Sequence, residues 1–351
     1  MFRKKLQPLL LVFGLVTSLL FLAACGAGGD TPANSSGEPK WYISFSGGTN
    51  SSSINNIMIY GLDGTAKGKA LNESSLPAGV TLREVRGFTF GPDANLYVVN
   101  AYKDYSQVLQ FKGQLDANGQ YDFSKVFVQH SAGLNPGLDH PLSAVFSSDG
   151  NLYLSSQDTD VVSRYYGPKS TTFEPAQPMK LPSALLGVGN FYPGTFVPSS
   201  TQMQNGLKAV QDAAFGPDGN LYVADRDDNS IKKYDGQTAT YLGKIVSDKL
   251  IQPAHLLFSP AGDYLYIGSS GRDAVPRYNL KTGQTEDFIT PKSGGLSSPS
   301  GLAFGPDKYL YVASRLTNQI LRYDAATGKP DQKPFIDGLK DNPEFLILVN
   351  N

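Results

Sequence analysis

The chain is poor in the residues that most catalytic and metal sites use: it has one cysteine, Cys25, and three histidines. A single cysteine excludes an internal disulfide bond, and its position near the start excludes a thiol catalyst deep in the fold. The spacing of His130, His140 and His255 fits neither an HExxH motif nor a Cys/His zinc motif. No GxSxG segment occurs, so hydrolysis through a serine at a nucleophile elbow has no support.

The chain also lacks an excess of basic residues, with 30 Lys and Arg against 31 Asp and Glu. Removing residues 1–24 takes away Arg3, Lys4 and Lys5 and no acidic residue, which leaves 27 basic against 31 acidic groups and a net charge of −4. No basic stripe with interleaved aromatic residues is present. We therefore expect no nucleic-acid partner.

The long apolar run at residues 9–23 follows the three basic residues at 3–5, a pattern that predicts a secretory signal peptide over residues 1–24. The run ends in LAAC, which resembles the bacterial lipobox. That resemblance implies a bacterial lipoprotein in which Cys25 becomes the lipidated N-terminus, carrying acyl chains such as palmitate. We expect an extracytoplasmic protein anchored to the cell membrane or the outer membrane; the alternative is an uncleaved transmembrane anchor with a chance cysteine.

Residues 25–40 comprise this cysteine and GAGGDTPANSSGEPK, a small, polar segment without apolar periodicity. Its composition predicts a flexible tether with an r.m.s. span of roughly 20 Å. The folded body is therefore expected at residues 41–351.

Within that body, AAFGPDGNLYVA at 213–224 is nearly repeated by GLAFGPDKYLYVA at 301–313. Alternating apolar residues predict strands with one buried face, and the Gly-Pro-Asp-Gly type of segment between them predicts a tight turn. Three aromatic landmarks recur in five copies. The first is Phe90, Phe146, Phe215, Phe258 and Phe304; the second is Tyr97, Tyr153, Tyr222, Tyr266 and Tyr311; the third is Phe111, Tyr165, Tyr234, Tyr278 and Tyr323. Each copy is thus predicted to form a small antiparallel sheet of about four strands.

A repeat of about 40 to 50 residues is typical of propeller blades arranged around an axis. A sixth copy is split between the chain ends, with WYISFS and NIMIYG near the start and NPEFLILVN at 342–350. The prediction is an all-β, six-bladed β-propeller whose blade 1 is closed by the C-terminal strand. The predicted blades span about 41–72 with 342–350, 85–130, 141–182, 209–248, 253–290 and 299–337.

The segment FGPDGNLYVADRDDNSIKKYD at 215–235 resembles an NHL repeat. More broadly, residues 41–350 resemble the six-bladed propeller superfamily that also holds the gluconolactonase/senescence marker protein and virginiamycin B lyase families. Such propellers bind proteins, sugars or metals, or catalyse lactone hydrolysis and ring opening, so the resemblance alone does not choose among these functions.

The resemblance also implies that the first strand of each blade begins, and the second ends, at one mouth of a central channel. We expect ligand or metal contacts there from Arg86, Asn100, His140, Gln211, Asp212, Asp225, Arg226, His255, Arg315 and Glu344. Asp212 and Glu344 are the candidate ligands for calcium or another divalent cation. The alternative for each residue is a satisfied or hydrated polar group, and for Asp225 it is a hydrogen bond to a neighbouring turn.

The insertion at 181–206 is apolar and aromatic, and two interpretations of it stay open. Either Phe191, Tyr192 and Phe196 cover the channel mouth, or the insertion packs in a groove between blades. The predicted function is a binding or scaffold module for a protein or small-molecule ligand. The alternative is a divalent-metal-dependent lactonase or lyase with its site at the channel mouth.

Overall fold

The computed structural model describes residues 37–102 and 106–350. The predicted signal peptide, Cys25 and most of the predicted tether lie outside the described residues. The strands, in chain order, are β1 Lys40–Phe45, β2 Met58–Tyr60, β3 Ala66–Lys69, β4 Leu71–Asn72, β5 Val85–Phe90, β6 Leu96–Asn100, β7 Gln107–Leu115, β8 Tyr121–Gln129, β9 Pro141–Phe146, β10 Leu152–Ser156, β11 Val161–Tyr165, β12 Thr195–Val197, β13 Val210–Phe215, β14 Leu221–Asp225, β15 Ser230–Tyr234, β16 Tyr241–Val246, β17 Pro253–Phe258, β18 Tyr264–Ser269, β19 Val275–Asn279, β20 Thr285–Ile289, β21 Pro299–Phe304, β22 Tyr309–Ser314, β23 Gln319–Asp324 and β24 Pro343–Val349.

These strands form six sheets, which are the six blades of a β-propeller. Blade 1 has the order β24-β1-β2-β3, so the C-terminal strand closes the ring as predicted. The inner strands β24, β5, β9, β13, β17 and β21 contact one another in that cyclic order around the channel. In the described part of the chain, helical turns are short 3₁₀ segments, and no helix is long and apolar enough to cross a lipid bilayer.

The recurring aromatic residues form the seams between neighbouring blades. Tyr153 of blade 3 packs edge-to-face against Phe215 of blade 4, with ring centroids 5.0 Å apart. Equivalent contacts of 5.0 to 5.3 Å join Tyr97 to Phe146, Tyr222 to Phe258 and Tyr266 to Phe304. Each such pair contributes about 0.5–1.5 kcal/mol beyond the apolar area that it buries. The aromatic residues that recur in the sequence therefore correspond to the contact that recurs between neighbouring blades.

The seam that closes the ring uses a different pair of rings. Leu348 stands at the position of the recurring phenylalanine, and Trp41 of β1 packs against Tyr311 of blade 6 at a centroid distance of 4.2 Å. Both rings are buried, as is Leu346 of β24. The two ends of the chain thus share one apolar cluster with blade 6.

The glycine and the aspartate of the Gly-Pro-Asp turns each have a structural role. In blade 4 the Tyr222 hydroxyl donates to Asp218 Oδ2 at 3.0 Å, and Asn220 N donates to Asp218 Oδ1. A Cβ on Gly216 would lie 2.6 Å from the Tyr222 ring, so only glycine permits this turn. Tyr97 and Tyr311 donate to Asp93 and Asp307 in the same way, so the turn aspartate holds the tyrosine in blades 2, 4 and 6.

Two blades differ from the predicted boundaries. The outer strand of blade 3 is β12, which lies within the insertion rather than before residue 182. Phe196 of this strand is buried against Tyr153, so of the two interpretations left open for the insertion, packing applies to Phe196. The short strand β4 pairs in parallel with β8 and so belongs to blade 2, although the sequence placed it in blade 1.

Candidate functional site

The inner strands carry a β-bulge at the position four residues before the recurring phenylalanine. In β13 the pairing with β14 skips Gln211, and in β17 the pairing with β18 skips Ala254. The register of β5, β9, β21 and β24 shifts at the corresponding place. A bulge bends the strand and re-aims the side chains beside it. This feature explains why polar residues of the inner strands gather at one end of the channel.

Seven residues from four blades form a continuous polar group there, which we call the mouth cluster. It consists of Ser46, Glu84, Arg86, His140, Asp158, Arg315 and Glu344. At its centre, Glu344 Oε1 accepts from three donors: Arg86 Nη1 at 2.8 Å, Arg315 Nε at 2.6 Å and Ser46 Oγ at 2.6 Å. These side chains are partly exposed, so solvent reaches the cluster.

The cluster continues from Arg86 towards blade 3 with alternating charge. Arg86 Nη2 lies 3.5 Å from Glu84 Oε2, which in turn lies 3.2 Å from His140 Nε2. His140 Nδ1 is 3.3 Å from Asp158 Oδ1. The Glu84 and Asp158 carboxylates raise the pKa of His140, while burial and Arg86 act against them. The contact with His140 also lowers the pKa of Glu84.

Glu84 and His140 occupy equivalent positions, each directly before the inner strand of its blade. Both have a left-handed backbone conformation, with φ of 49° for Glu84 and 47° for His140. Gln252 and Ser298, which directly precede the inner strands β17 and β21, have the same conformation, with φ of 51° each, so this conformation belongs to the blade repeat and is not specific to the mouth cluster. Glu84 was not among the predicted site residues, although it lies two residues before Arg86 and at the position equivalent to the predicted residue His140.

A second group, the channel pair, consists of Asp212 and His255 on the neighbouring strands β13 and β17. His255 Nδ1 lies 2.9 Å from Asp212 Oδ2, and the side chains are only 9% and 10% exposed. Asp212 is held by the backbone amides of Ala213 and Leu256, each donating at 2.9 Å. Within the described residues, His255 Nε2 has no hydrogen-bonding partner.

Phe345 connects the channel pair to the mouth cluster. It follows Glu344 directly, and its ring lies 5.3 Å from the His255 ring and 5.2 Å from Phe88. Gly301 on β21 lies beside this part of β24. A Cβ at position 301 would lie 2.8 Å from Glu344 O and 3.0 Å from Phe345 Cα. The missing side chain at 301 therefore lets β24 approach β21 closely. The sequence carries no signal for Phe345, because it is one of several apolar residues in the strand segment NPEFLILVN.

The other predicted site residues lie apart from these two groups. Asn100 and Asp225, both fully buried, hold the loop that precedes the inner strand of their blade: Asn100 accepts from Arg83 N, and Asp225 accepts from Lys208 N and Ala209 N. Asp225 Oδ2 also lies 2.7 Å from Lys232 Nζ. Arg226 is exposed and has no ion pair in the described structure, and Gln211 donates to the carbonyl of Val210.

The residues expected to bind a divalent cation do not suit one. Glu344 already receives two guanidinium groups, and both oxygens of Asp212 accept backbone amides. A cation near Glu344 would face Arg86 and Arg315 at short range. Across residues 37–102 and 106–350, no group of three or more His, Cys, Asp or Glu side chains has an arrangement that could hold a metal ion. Asp212 belongs to the channel pair and Glu344 to the mouth cluster, so the two carboxylates are not brought together as ligands of one cation.

The architecture and the ring of inner strands define the chain as a six-bladed β-propeller protein with a polar cluster at one channel mouth. No protein-family model matches the chain, and no curated protein sequence is significantly similar to it. Among solved structures, the chain is similar to one from a nidogen/laminin complex, with a TM-score of 0.58, 15% identity and coverage of 89% of this chain and 98% of that one.

Two enzyme structures are similar as well. The periplasmic gluconolactonase of Pseudomonas aeruginosa has a TM-score of 0.53 and 17% identity, covering 89% of this chain and 99% of that one. A catalytically inactive variant of virginiamycin B lyase from Staphylococcus aureus, crystallised with quinupristin, has a TM-score of 0.53 and 12% identity, covering 91% of this chain and 98% of that one. At these identities the likeness establishes the fold alone.

Proposed function

We propose that this protein is a lipid-tethered, extracytoplasmic propeller that binds a ligand at its channel mouth. The observation that carries the proposal is the convergence of Arg86, Arg315 and Ser46 on one oxygen of Glu344. Four chain segments that are distant in sequence meet there at the bulged ends of inner strands and in the adjoining loops. A partly exposed group of this kind suits a small molecule or an exposed side chain of a protein partner.

The proposed location rests on the basic start, the apolar run and Cys25 in the sequence. Acyl chains on Cys25 would provide about 0.8 kcal/mol per buried CH₂, which suffices for stable membrane anchoring when several chains are present. The tether would then hold the propeller at the membrane surface without a spanning segment.

A ligand screen with thermal-shift readout tests the binding role. The full chain in detergent is screened against small anionic, neutral and cationic molecules, beside an R86Q/R315Q variant and an R226Q control. We expect stabilisation by anionic compounds that is lost in the double variant and kept in the control, because Arg226 has the same charge but lies outside the cluster. Equal shifts in all three proteins would contradict a site at the mouth cluster.

The second candidate function is that of a lactonase or lyase. It is favoured by the contact between Asp212 and His255 in the channel pair. A carboxylate beside Nδ1 favours a proton on that nitrogen, which leaves Nε2 available as a base. A divalent cation would supply Lewis-acid chemistry in such an enzyme, but Asp212 and Glu344 do not form a suitable pair of ligands.

Metal titration separates the two candidates. Calcium, magnesium and manganese are each titrated into the full chain and into the variants Asp212→Ala and Glu344→Ala. We expect no metal-dependent stabilisation that requires either carboxylate. Micromolar binding that disappears in one of the two variants would instead favour the metal-dependent enzyme.

A further inference from the structure

The two arginines of the mouth cluster have more hydrogen-bond donors than the protein supplies with acceptors. Arg86 Nε has no hydrogen-bond partner, and the Arg315 guanidinium directs Nε to Glu344 and Nη2 to Ser46, at 2.6 and 3.3 Å. In the described structure, Arg315 Nη1 has no partner. A guanidinium group offers five donors in a fork that matches a carboxylate. The cluster is therefore prepared for an additional oxygen ligand.

The charges of the mouth cluster disfavour a ligand with two negative charges. Arg86 and Arg315 face three carboxylates, those of Glu344, Glu84 and Asp158, so a ligand carboxylate is held by the open edges of the guanidinium groups and not by a net positive charge. A dianion would place its second charge near these three carboxylates, which is unfavourable at such distances. A cation would meet the two guanidinium groups first.

The channel pair provides a second contact for the same ligand. His255 Nε2 has no protein partner in the described structure and remains open to solvent, so a ligand hydroxyl can bind it in place of water. Glu344 and Phe345 are consecutive, so their Cα atoms are about 3.8 Å apart, and the Phe345 ring reaches the His255 ring. The two contacts are therefore connected through adjacent residues of one strand, β24.

We propose that the mouth cluster and the channel pair form one site for a hydroxycarboxylate monoanion, an inference that rests on the proposed binding function. The ligand carboxylate binds Arg86 and Arg315, a hydroxyl group binds His255 Nε2, and the partly exposed Phe345 contacts the carbon skeleton between them. Asp212 is a positioning residue, because it acts on the ligand through His255.

Three probes test this assignment by isothermal titration calorimetry on the full chain in detergent. D-glucuronate carries both a carboxylate and hydroxyl groups, acetate carries only the carboxylate, and D-glucose carries only hydroxyl groups. We expect D-glucuronate to bind at least about tenfold more tightly than either of the others, since it makes both kinds of contact.

Variants then assign each contact to its residue. In R86Q/R315Q the preference for D-glucuronate over D-glucose should fall by about tenfold or more, and in H255Q the preference over acetate should fall while the preference over D-glucose remains. The R226Q control should bind as the unaltered protein does. Thermal midpoints of all variants are measured, and R86K, which keeps the charge but not the fork, replaces R86Q if that variant is unstable.

The contradicting outcomes are distinct. Equal affinity for D-glucuronate and D-glucose would overturn carboxylate recognition, and equal affinity for D-glucuronate and acetate would overturn the His255 contact. Failure of all three probes, while another compound in the screen stabilises the protein through Arg86 and Arg315, would overturn the hydroxycarboxylate assignment and leave the proposed binding function in place. Absence of any such compound would overturn both.

Discussion

Two aspartates that lie close together in blade 4 have different roles. Asp212 and Asp225 lie at the same end of the β13–β14 pairing, yet Asp225 is fully buried beside Lys232 and holds a loop, whereas Asp212 orients His255 in the channel. The strand pattern in the sequence predicts that both side chains lie near the channel mouth, because it gives their positions along the strands. The pattern does not show whether a polar side chain turns towards a loop amide or towards the channel.

His140 should make stability depend on pH. Its pKa is raised in the folded state by Glu84 and Asp158, with Arg86 opposing, so its contribution is present below the unfolded-state pKa and is lost as pH rises through the folded-state pKa. We expect H140Q to lower the thermal midpoint more at pH 5.5 than at pH 8.5. The pKa of Glu84 is lowered in the folded state, so Glu84 contributes to stability above its unfolded-state pKa. This contribution is lost as the pH falls through the folded-state pKa and the carboxylate becomes protonated.

The comparison of H140Q with unaltered protein across pH 5 to 9 isolates this effect. His130, whose Nδ1 lies 2.7 Å from the carbonyl oxygen of Leu138, provides the matched control H130Q. A midpoint difference for H140Q that is independent of pH would show that the imidazole charge does not stabilise the mouth cluster.

At the scale of strands, the sequence predicted the blades well because the landmarks are themselves the interface. Tyr153, Phe215 and their equivalents recur because the four seams from blade 2 to blade 6 bury the same edge-to-face contact. The insertion was ambiguous because Phe196 occupies a three-residue outer strand, too short to show strand periodicity. The pairing of Arg86 with Glu344 was also hidden, since these residues are 258 positions apart and meet only after ring closure.

The close approach of β21 and β24 gives a test at this scale. A valine at position 301 would place its Cβ within 3.0 Å of the backbone of Glu344 and Phe345, so we expect G301V to lose about 1–3 kcal/mol of stability. Gly133→Val is the control, because nothing lies within 4 Å of a Cβ at that position and its φ is not positive. Denaturant unfolding of both variants measures the difference; equal losses would show that the β21–β24 contact is not tight.

For the whole molecule, ring closure depends on the C-terminal strand. Deleting residues 343–351 removes β24, exposes the edge of β1 and leaves Trp41 without the apolar cover of Leu346. We expect the thermal midpoint to fall by on the order of 10 °C or more. A truncated protein with an unchanged midpoint would show that closure through β24 does not stabilise the propeller.

The same closure fixes where the proposed anchor attaches. Lys40 at the start of β1 pairs with Val349, whereas Ser46, just beyond its end, donates to Glu344 in the mouth cluster. The chain therefore enters the propeller at the end of blade 1 opposite the channel mouth. A lipid on Cys25 would leave the mouth on the side away from the point of attachment, accessible to ligands from solution.

The anchor and the propeller should consequently be separable. We expect Cys25→Ser to abolish incorporation of labelled palmitate and to move the protein from the membrane to the soluble fraction, because the variant lacks the acyl acceptor. Its folded body should keep the thermal midpoint of the parent, since the strands that close the ring begin with β1 at Lys40. Ser36→Ala, a change in the predicted tether, is the control and should remain membrane-bound. Palmitate labelling that persists in Cys25→Ser would contradict lipidation at this residue, and membrane retention without labelling would indicate that the apolar run at residues 9–23 anchors the chain uncleaved.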